Sequence, residues 1–166
     1  MQPGGGQIKE IDMSHDRPRP GKHKSAAVAL DFIHSNSNKL VEHARRLVPN
    51  EQLHLIHVVS LNGCYSGTTF EPSCMEQEYW LCDAQLKEVG DELGIPLERQ
   101  TLLVGSIHNL IAEYVEHCEI DLLVLGSASA LRERGEKKRE DYPIDAIARA
   151  LYRTRCDLLQ VCTEDN

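Results

Sequence analysis

Ile120-Asp121-Leu122-Leu123-Val124-Leu125-Gly126-Ser127 is the stretch whose reading decides the fold. Its consecutive apolar residues, Leu122 to Leu125, are too few for a helix and too continuous for a strand with one wet face. The run reads as a strand covered on both sides, the signature of a parallel sheet. Gly126 follows at once, where the chain must turn and a ligand can approach the backbone without meeting a Cβ. In open α/β sheets the ligand crevice lies beyond the carboxyl ends of such strands, so Gly126 is the first candidate address for a ligand.

Towards the N-terminus, Ser25 to Phe32 is a small-residue and β-branched run that suits a central parallel strand, with Asp31 placed to point into the crevice. Asp31 there either positions a ligand or binds nearby backbone amides. Ser35 to Val48 sets Leu40, Val41, Ala44, Leu47 and Val48 on one helical face, with Ser35 or Ser37 as N-cap and Pro49 as a stop. Leu53 to Ser60 returns to strand, and this strand-helix-strand order implies a right-handed crossover. Leu61 to Phe70, rich in Gly, Ser and Thr, reads as irregular. Pro72 opens the longest helix, whose apolar stripe is Met75, Tyr79, Cys82, Leu86, Val89 and Leu93; Gly94 closes it, with Pro96 just beyond. Leu97 to Val104 is expected as the third strand. Gly105-Ser106 then leads into a helix capped by Ser106, with Ile107, Leu110, Ile111, Tyr114, Val115 and Cys118 on its inner face.

After the opening stretch, Leu131 to Asp141 interleaves Arg132, Arg134, Lys137, Lys138 and Arg139 with Glu133, Glu136 and Glu140. Such a run reads as a solvated loop; the alternative is that its cations meet a ligand's phosphates. Asp141-Tyr142-Pro143 starts a last helix carrying Ile144, Ile147, Ala148 and Leu151, and Asp157 to Cys162 is the fifth strand. Five strands alternating with four helices make a doubly wound α/β sheet. Residues 1–24 contain Gly4-Gly5-Gly6 and scattered charges without a period of two or 3.6, and are expected to be a flexible tail before a single domain over residues 25–166.

Composition narrows the function classes. A chain of 166 residues with 18 Lys plus Arg against 26 Asp plus Glu carries a net charge of −8, which argues against a nucleic-acid-binding surface. No apolar run approaches the ~20 residues that span a bilayer, and the N-terminus lacks the apolar core of a signal peptide, so a cytoplasmic location is expected, with no membrane contact. Cys64, Cys74, Cys82, Cys118, Cys156 and Cys162 include no Cys-x-x-Cys pair. Most read as small buried apolar residues. Cys82, Cys118 and Cys162 in particular are expected to be buried without metal, and Cys64 and Cys74 to be the more reactive thiols. His54 and His57 lie three apart in a strand, hence on opposite faces, and cannot easily share a metal.

Taken in order, the strand ending in Asp31, the Leu53-His54-Leu55-Ile56-His57-Val58-Val59 strand, the Gly105 turn and helix leading to Asp121 through Ser127, and the closing helix running into Cys156-Asp157-Leu158-Leu159 resemble the universal stress protein (UspA-like) family. The resemblance covers Ala26 to Cys162. It implies a Rossmann-like sheet of the adenine nucleotide alpha hydrolase type with strand order 3-2-1-4-5, setting the ends of the Asp31 and Gly126 strands side by side.

Family members that hold ATP at that point carry Gly-x-x-Gly, nine residues, then Gly followed by Ser or Thr, whereas here Gly126 is followed by Ser129 in place of the second glycine and Arg139 in place of the third. Realignment through the last helix puts Ile144 and Asp145 at the Gly-Ser or Gly-Thr position. A side chain at Ser129 narrows the phosphate cradle, and a carboxylate in the first turn of a helix repels a triphosphate arriving at the same amides. One extra residue between Asp31 and Leu40, against the usual family spacing, also alters the first loop. The non-ATP subgroup is therefore favoured.

These residues contain no nucleophile-base pair, paired carboxylates or Gly-x-x-x-x-Gly-Lys-Ser loop, so no catalytic residue is assigned. The leading expectation is a stress-response binding or adaptor module, a homodimer with a protein partner and no cofactor. The alternative is an ATP- or AMP-binding switch or slow ATPase with Asp31, Val58, Gly126, Ser127 and Ser129 around the nucleotide. A redox or metal sensor is the third and weakest. The fifth strand, expected at one edge of the sheet, offers Leu158, Leu159, Gln160, Val161 and Cys162 as the dimer seam, which is also the strand the resemblance implies.

Overall fold

Leu122 to Leu125 are buried on both faces of their strand, as their unbroken apolar pattern requires. In the computed structural model, which describes residues 8–10, 22–31, 37–127 and 144–162, that strand lies near the middle of a six-stranded parallel sheet. The elements in chain order are β1 (Ile8–Glu10), β2 (Ala26–Ala29), α1 (Ser37–Arg45), β3 (Leu53–Val59), β4 (Tyr65–Ser66), β5 (Thr69–Phe70), α2 (Pro72–Leu93), β6 (Gln100–Val104), α3 (Ile107–His117), β7 (Leu122–Ser127), α4 (Ile144–Leu151) and β8 (Asp157–Cys162). The sheet order is β1-β8-β7-β2-β3-β6. Its last five strands, read from β6 to β8, follow the expected 3-2-1-4-5 pattern.

The two sides of the sheet are separate apolar layers. Ala26, Val28 and Leu30 face α1 and α2 together with Leu55, Val124 and Leu159, while Ala27 and Ala29 face α3 and α4 together with Ile56, Leu123, Leu125 and Ile147. This alternation follows from the period of two along each strand. At the opposite end from the crevice, Asp121 fixes the register of the central strands. Its carboxylate accepts the amides of Lys24 and Ser25 at 2.8 and 3.0 Å, and Asp157 accepts from Lys22 Nζ and His23 Nε2 at 3.1 and 2.9 Å.

Those contacts fall on part of the expected tail. Lys22, His23 and Lys24 are tied to the strand starts, and Ile8–Glu10 forms β1, pairing in parallel with Leu158, Leu159 and Gln160. The remaining tail residues lie outside the described residues. The physical reason is that β8 would otherwise present unpaired amides and carbonyls, and a segment without its own apolar period can still supply a strand to such an edge. The expectation that β8 is the edge strand is corrected for the same reason: β7 covers one side of it and β1 the other.

Smaller differences have local causes. Leu97–Arg99 is a 3₁₀ turn following Pro96, not strand, and Leu97 is exposed; the locked φ of Pro96 suits a turn start, so β6 begins at Gln100. Leu61 to Phe70 is not irregular throughout. Leu61–Cys64 is a 3₁₀ turn, and β4 and β5 form a hairpin across Gly67, whose φ of 63° a Cβ would oppose. Ser106 stands at the start of α3 but its side chain makes no capping bond.

Candidate functional site

The carboxyl ends of β7, β2 and β3 lie next to one another. Ala29 is paired with Leu125 on one side and with Ile56 on the other, so carrying the register forward two residues brings Asp31 level with Ser127 and Val58. The Leu30 amide donates to Ile56 O at 2.9 Å, which keeps β2 paired to the mouth of the crevice. Four sequence-predicted residues thus come together: half-exposed Asp31, buried Val58, half-exposed Gly126 and the backbone of Ser127. Ser129 and the basic loop of residues 131–141 lie outside the described residues, as does the expected Asp141-Tyr142-Pro143 cap. Asp145 occupies the first turn of α4 and is exposed.

His57 completes this end of the sheet, a role its sequence reading as a strand histidine does not include. Its Nδ1 bonds to the carbonyl of Leu30, the residue before Asp31. A carbonyl cannot donate, so Nδ1 carries the proton and the neutral ring's Nε2 is an acceptor. Burial lowers its pKa, against the opposing influence of the Leu30 carbonyl and the charges of Asp31 and Glu78. The neutral ring is favoured. The charges of Asp31 and Glu78 both act on this ring, so the surroundings of His57 are acidic. Such surroundings disfavour an anion.

His54 faces the other layer, where Nδ1 meets Tyr114 Oη at 2.8 Å and Thr101 Oγ1 donates to the same oxygen at 3.4 Å. The two histidines accordingly lie on opposite faces of β3. Desolvation raises the Tyr114 pKa to about 12, so this network is neutral. Among the described residues no group of three His, Cys, Asp or Glu is arranged to hold a metal ion. Cys82 and Cys156 are buried, but Cys118, at the end of α3, is only half-buried because the helix stripe runs out to solvent there. Cys64 is buried, because the 3₁₀ turn it ends packs against α2. The side chain of Cys162 lies outside the description.

With fold and crevice in place, comparisons with known proteins are decisive. The family model described as "Universal stress protein family" matches residues 23–158, most of the chain. The chain belongs to the universal stress protein family. It is 29% identical over 110 residues to universal stress protein A homolog 2 of Coxiella burnetii, covering 63% of this chain and 75% of that one. The crystal structure of universal stress protein UspA from Lactobacillus plantarum superposes with a TM-score of 0.51 at 16% identity, covering 85% of this chain and 99% of that one. A putative universal stress protein from Pseudomonas aeruginosa UCBPP-PA14 gives 0.51 at 15% identity, covering 88% of this chain but 50% of that one. At these identities the structural matches speak to the fold. No helix among the described residues is long and apolar enough to cross a membrane.

The β8 residues named as a dimer seam are Leu158, Leu159 and Val161, which are buried, Gln160, half-buried, and Cys162 at the strand end. Of these, Leu158 to Gln160 already pair with β1. β1 and Glu78 were not legible as parts of these sites: β1 has no period, and Glu78 looks like any solvated helix acid until its proximity to His57 is seen.

Proposed function

We propose that this universal stress protein acts in the cytoplasm as a dimeric binding or adaptor module in the stress response, without catalysis of its own and without a resident cofactor. The observation that carries this reading is the acidic surroundings of His57, beside Asp31 at the strand ends. The carboxylates of Asp31 and Glu78 around a neutral His57, and exposed Asp145 in the first turn of α4, disfavour a triphosphate. Native mass spectrometry of the purified protein is expected to show no retained nucleotide, and calorimetry no ATP binding at micromolar concentration. A micromolar constant abolished by Asp31→Ala would replace this reading.

The nucleotide-switch reading has one specific support, the common level of Asp31, Val58 and Ser127 beside Gly126. Under it, ATP or AMP would be held by those residues and Ser129. If wild type does not bind, the paired substitutions Ser129→Gly and Asp145→Ser test whether these side chains exclude the phosphates.

The homodimer is assigned to β8, Leu158 to Cys162, with two copies meeting antiparallel about a two-fold axis. Because β1 lies on that edge in the single chain, dimerisation through it requires β1 to leave. Sedimentation of the wild type beside Leu159→Pro and Val161→Pro, each removing a strand donor, tests the seam. A wild type that stays monomeric at micromolar concentration, or proline variants that remain folded and dimeric, would place it elsewhere.

A further inference from the structure

The segment joining β3 to α2 brings two thiols together. Cys64 ends the 3₁₀ turn after β3 and is 2% exposed, whereas Cys74, third residue of α2, is half-buried. Between them the β4-β5 hairpin goes out and returns. The Glu71 amide closes it by donating to Cys64 O at 2.8 Å, and the Cys74 amide donates to Glu71 O at 3.1 Å. Cys74 Sγ lies 3.7 Å from Gly63 O, the carbonyl preceding Cys64, and its thiol is near enough to act on that of Cys64. One thiol is reachable from solvent, and the other waits behind it. Cys82 stands more than two turns further along α2, and buried Cys156 immediately precedes β8 on the far side of the sheet.

We propose that Cys64 and Cys74 are a thiol-disulfide exchange site that low-molecular-weight disulfides oxidise to a reversible intrachain bond. The accessible Cys74 loses its proton and its sulfur attacks one sulfur of the reagent, forming a mixed disulfide and releasing one thiolate. Cys64 then loses its proton and attacks the Cys74 sulfur, forming the Cys64–Cys74 bond and expelling the second thiolate. The two protons end on the released thiolates. In balance, two cysteine thiols and one disulfide become one protein disulfide and two small thiols. Burial, the Cys74 contact and the acids Glu78 and Glu71 hold the Cys64 thiol protonated, which assigns first attack to Cys74 and resolution to Cys64. The bond would staple the hairpin to the first turn of α2, on the side of the crevice where Glu78 and His57 lie.

The test is incubation of the full chain with oxidised glutathione, quenching with acid and N-ethylmaleimide, and chymotryptic mapping. Cleavage after Tyr65 and Phe70 puts Cys64 and Cys74 on separate fragments. They are expected to run as one disulfide-linked pair, separated by dithiothreitol. Cys64→Ser is expected to trap a glutathione adduct on Cys74, and Cys74→Ser to lose both the linked pair and the adduct at Cys64; circular dichroism checks that both variants fold. The wild-type map needs neither variant. A stable glutathione adduct on Cys74 with Cys64 still alkylated by maleimide, or linkage of either thiol to Cys82, Cys118, Cys156 or Cys162, would overturn the proposal.

Discussion

Deleting residues 1–21 tests how firmly β1 holds the edge that the proposed dimer needs. β1 meets β8 over three register pairs, Ile8↔Leu158 to Glu10↔Gln160. A pairing of that length supplies about three backbone hydrogen bonds at a net ~1 kcal/mol each, roughly 3 kcal/mol. Fixing the backbone of three residues costs about 1–2 kcal/mol apiece, roughly 3–6 kcal/mol in all. At the lower end of that cost the two cancel and the closed and open edges are about equally populated, and a higher cost only opens the edge further. A second copy's β8, already ordered by its pairing with β7, carries no such ordering cost. Each protomer whose edge is about half covered weakens dimerisation about twofold, hence about fourfold for two. Deletion is therefore expected to tighten the dimer constant by about fourfold and by no more than about tenfold, measured by sedimentation equilibrium over a concentration series. Tightening by about a hundredfold would mean that β1 binds about 1.4 kcal/mol more tightly per protomer than this reasoning allows. A weaker dimer would refute the competition outright, because β1 would then be part of the seam.

Two further predictions concern stability. Gly90→Ala should gain about 1 kcal/mol of helix propensity in α2, yet its Cβ would fall 1.9 Å from Gln100 Nε2, which is pinned by donating to Ile95 O at 2.7 Å. Breaking that bond costs about 1–3 kcal/mol, so the variant is expected to lose about 1 kcal/mol by urea unfolding, while the same change on a Gln100→Ala background gains about 1 kcal/mol; equal effects in both backgrounds would refute the contact. Burial lowers the folded-state pKa of His57, so this histidine's contribution is fully present above the unfolded value near 6.5 and is lost as pH falls through it towards the lower folded value. Urea midpoints from pH 7.5 to 5 should fall less steeply for His57→Gln than for wild type, by at most about 1.4 kcal/mol per pH unit, and identical slopes would show that His57 is not held neutral.

The central strands were legible because burial on two faces leaves no room for polar alternation. Ala26 to Ala29 and Leu122 to Leu125 are at most 2% exposed, and their apolar runs announce it. The end of α2 was legible through Gly94, whose φ of 67° is the left-handed cap that a glycine before proline suggests. What escaped depends on partners distant in sequence. β1 exists only because β8 offers it an edge, and no property of Ile8, Lys9 and Glu10 distinguishes them from the surrounding tail. Gly90 reads as a weakness in the middle of a helix until the Gln100 amide is found in the space its missing Cβ leaves.

The same reasoning separates the legible half of the crevice from the rest. Asp31 and Gly126 could be placed together because parallel strand order alone brings their strand ends side by side. His57 could not be assigned from sequence, since its tautomer is set by a carbonyl on the neighbouring strand and its charge by burial between β2 and α2. Once those are known, the motif departures acquire a physical direction. A side chain in place of the second glycine argues for a narrower cradle, whereas the acidic surroundings of His57 disfavour an anion by charge. The exchange site proposed at Cys64 and Cys74 lies on the segment running from β3, which carries His57, into α2, which carries Glu78.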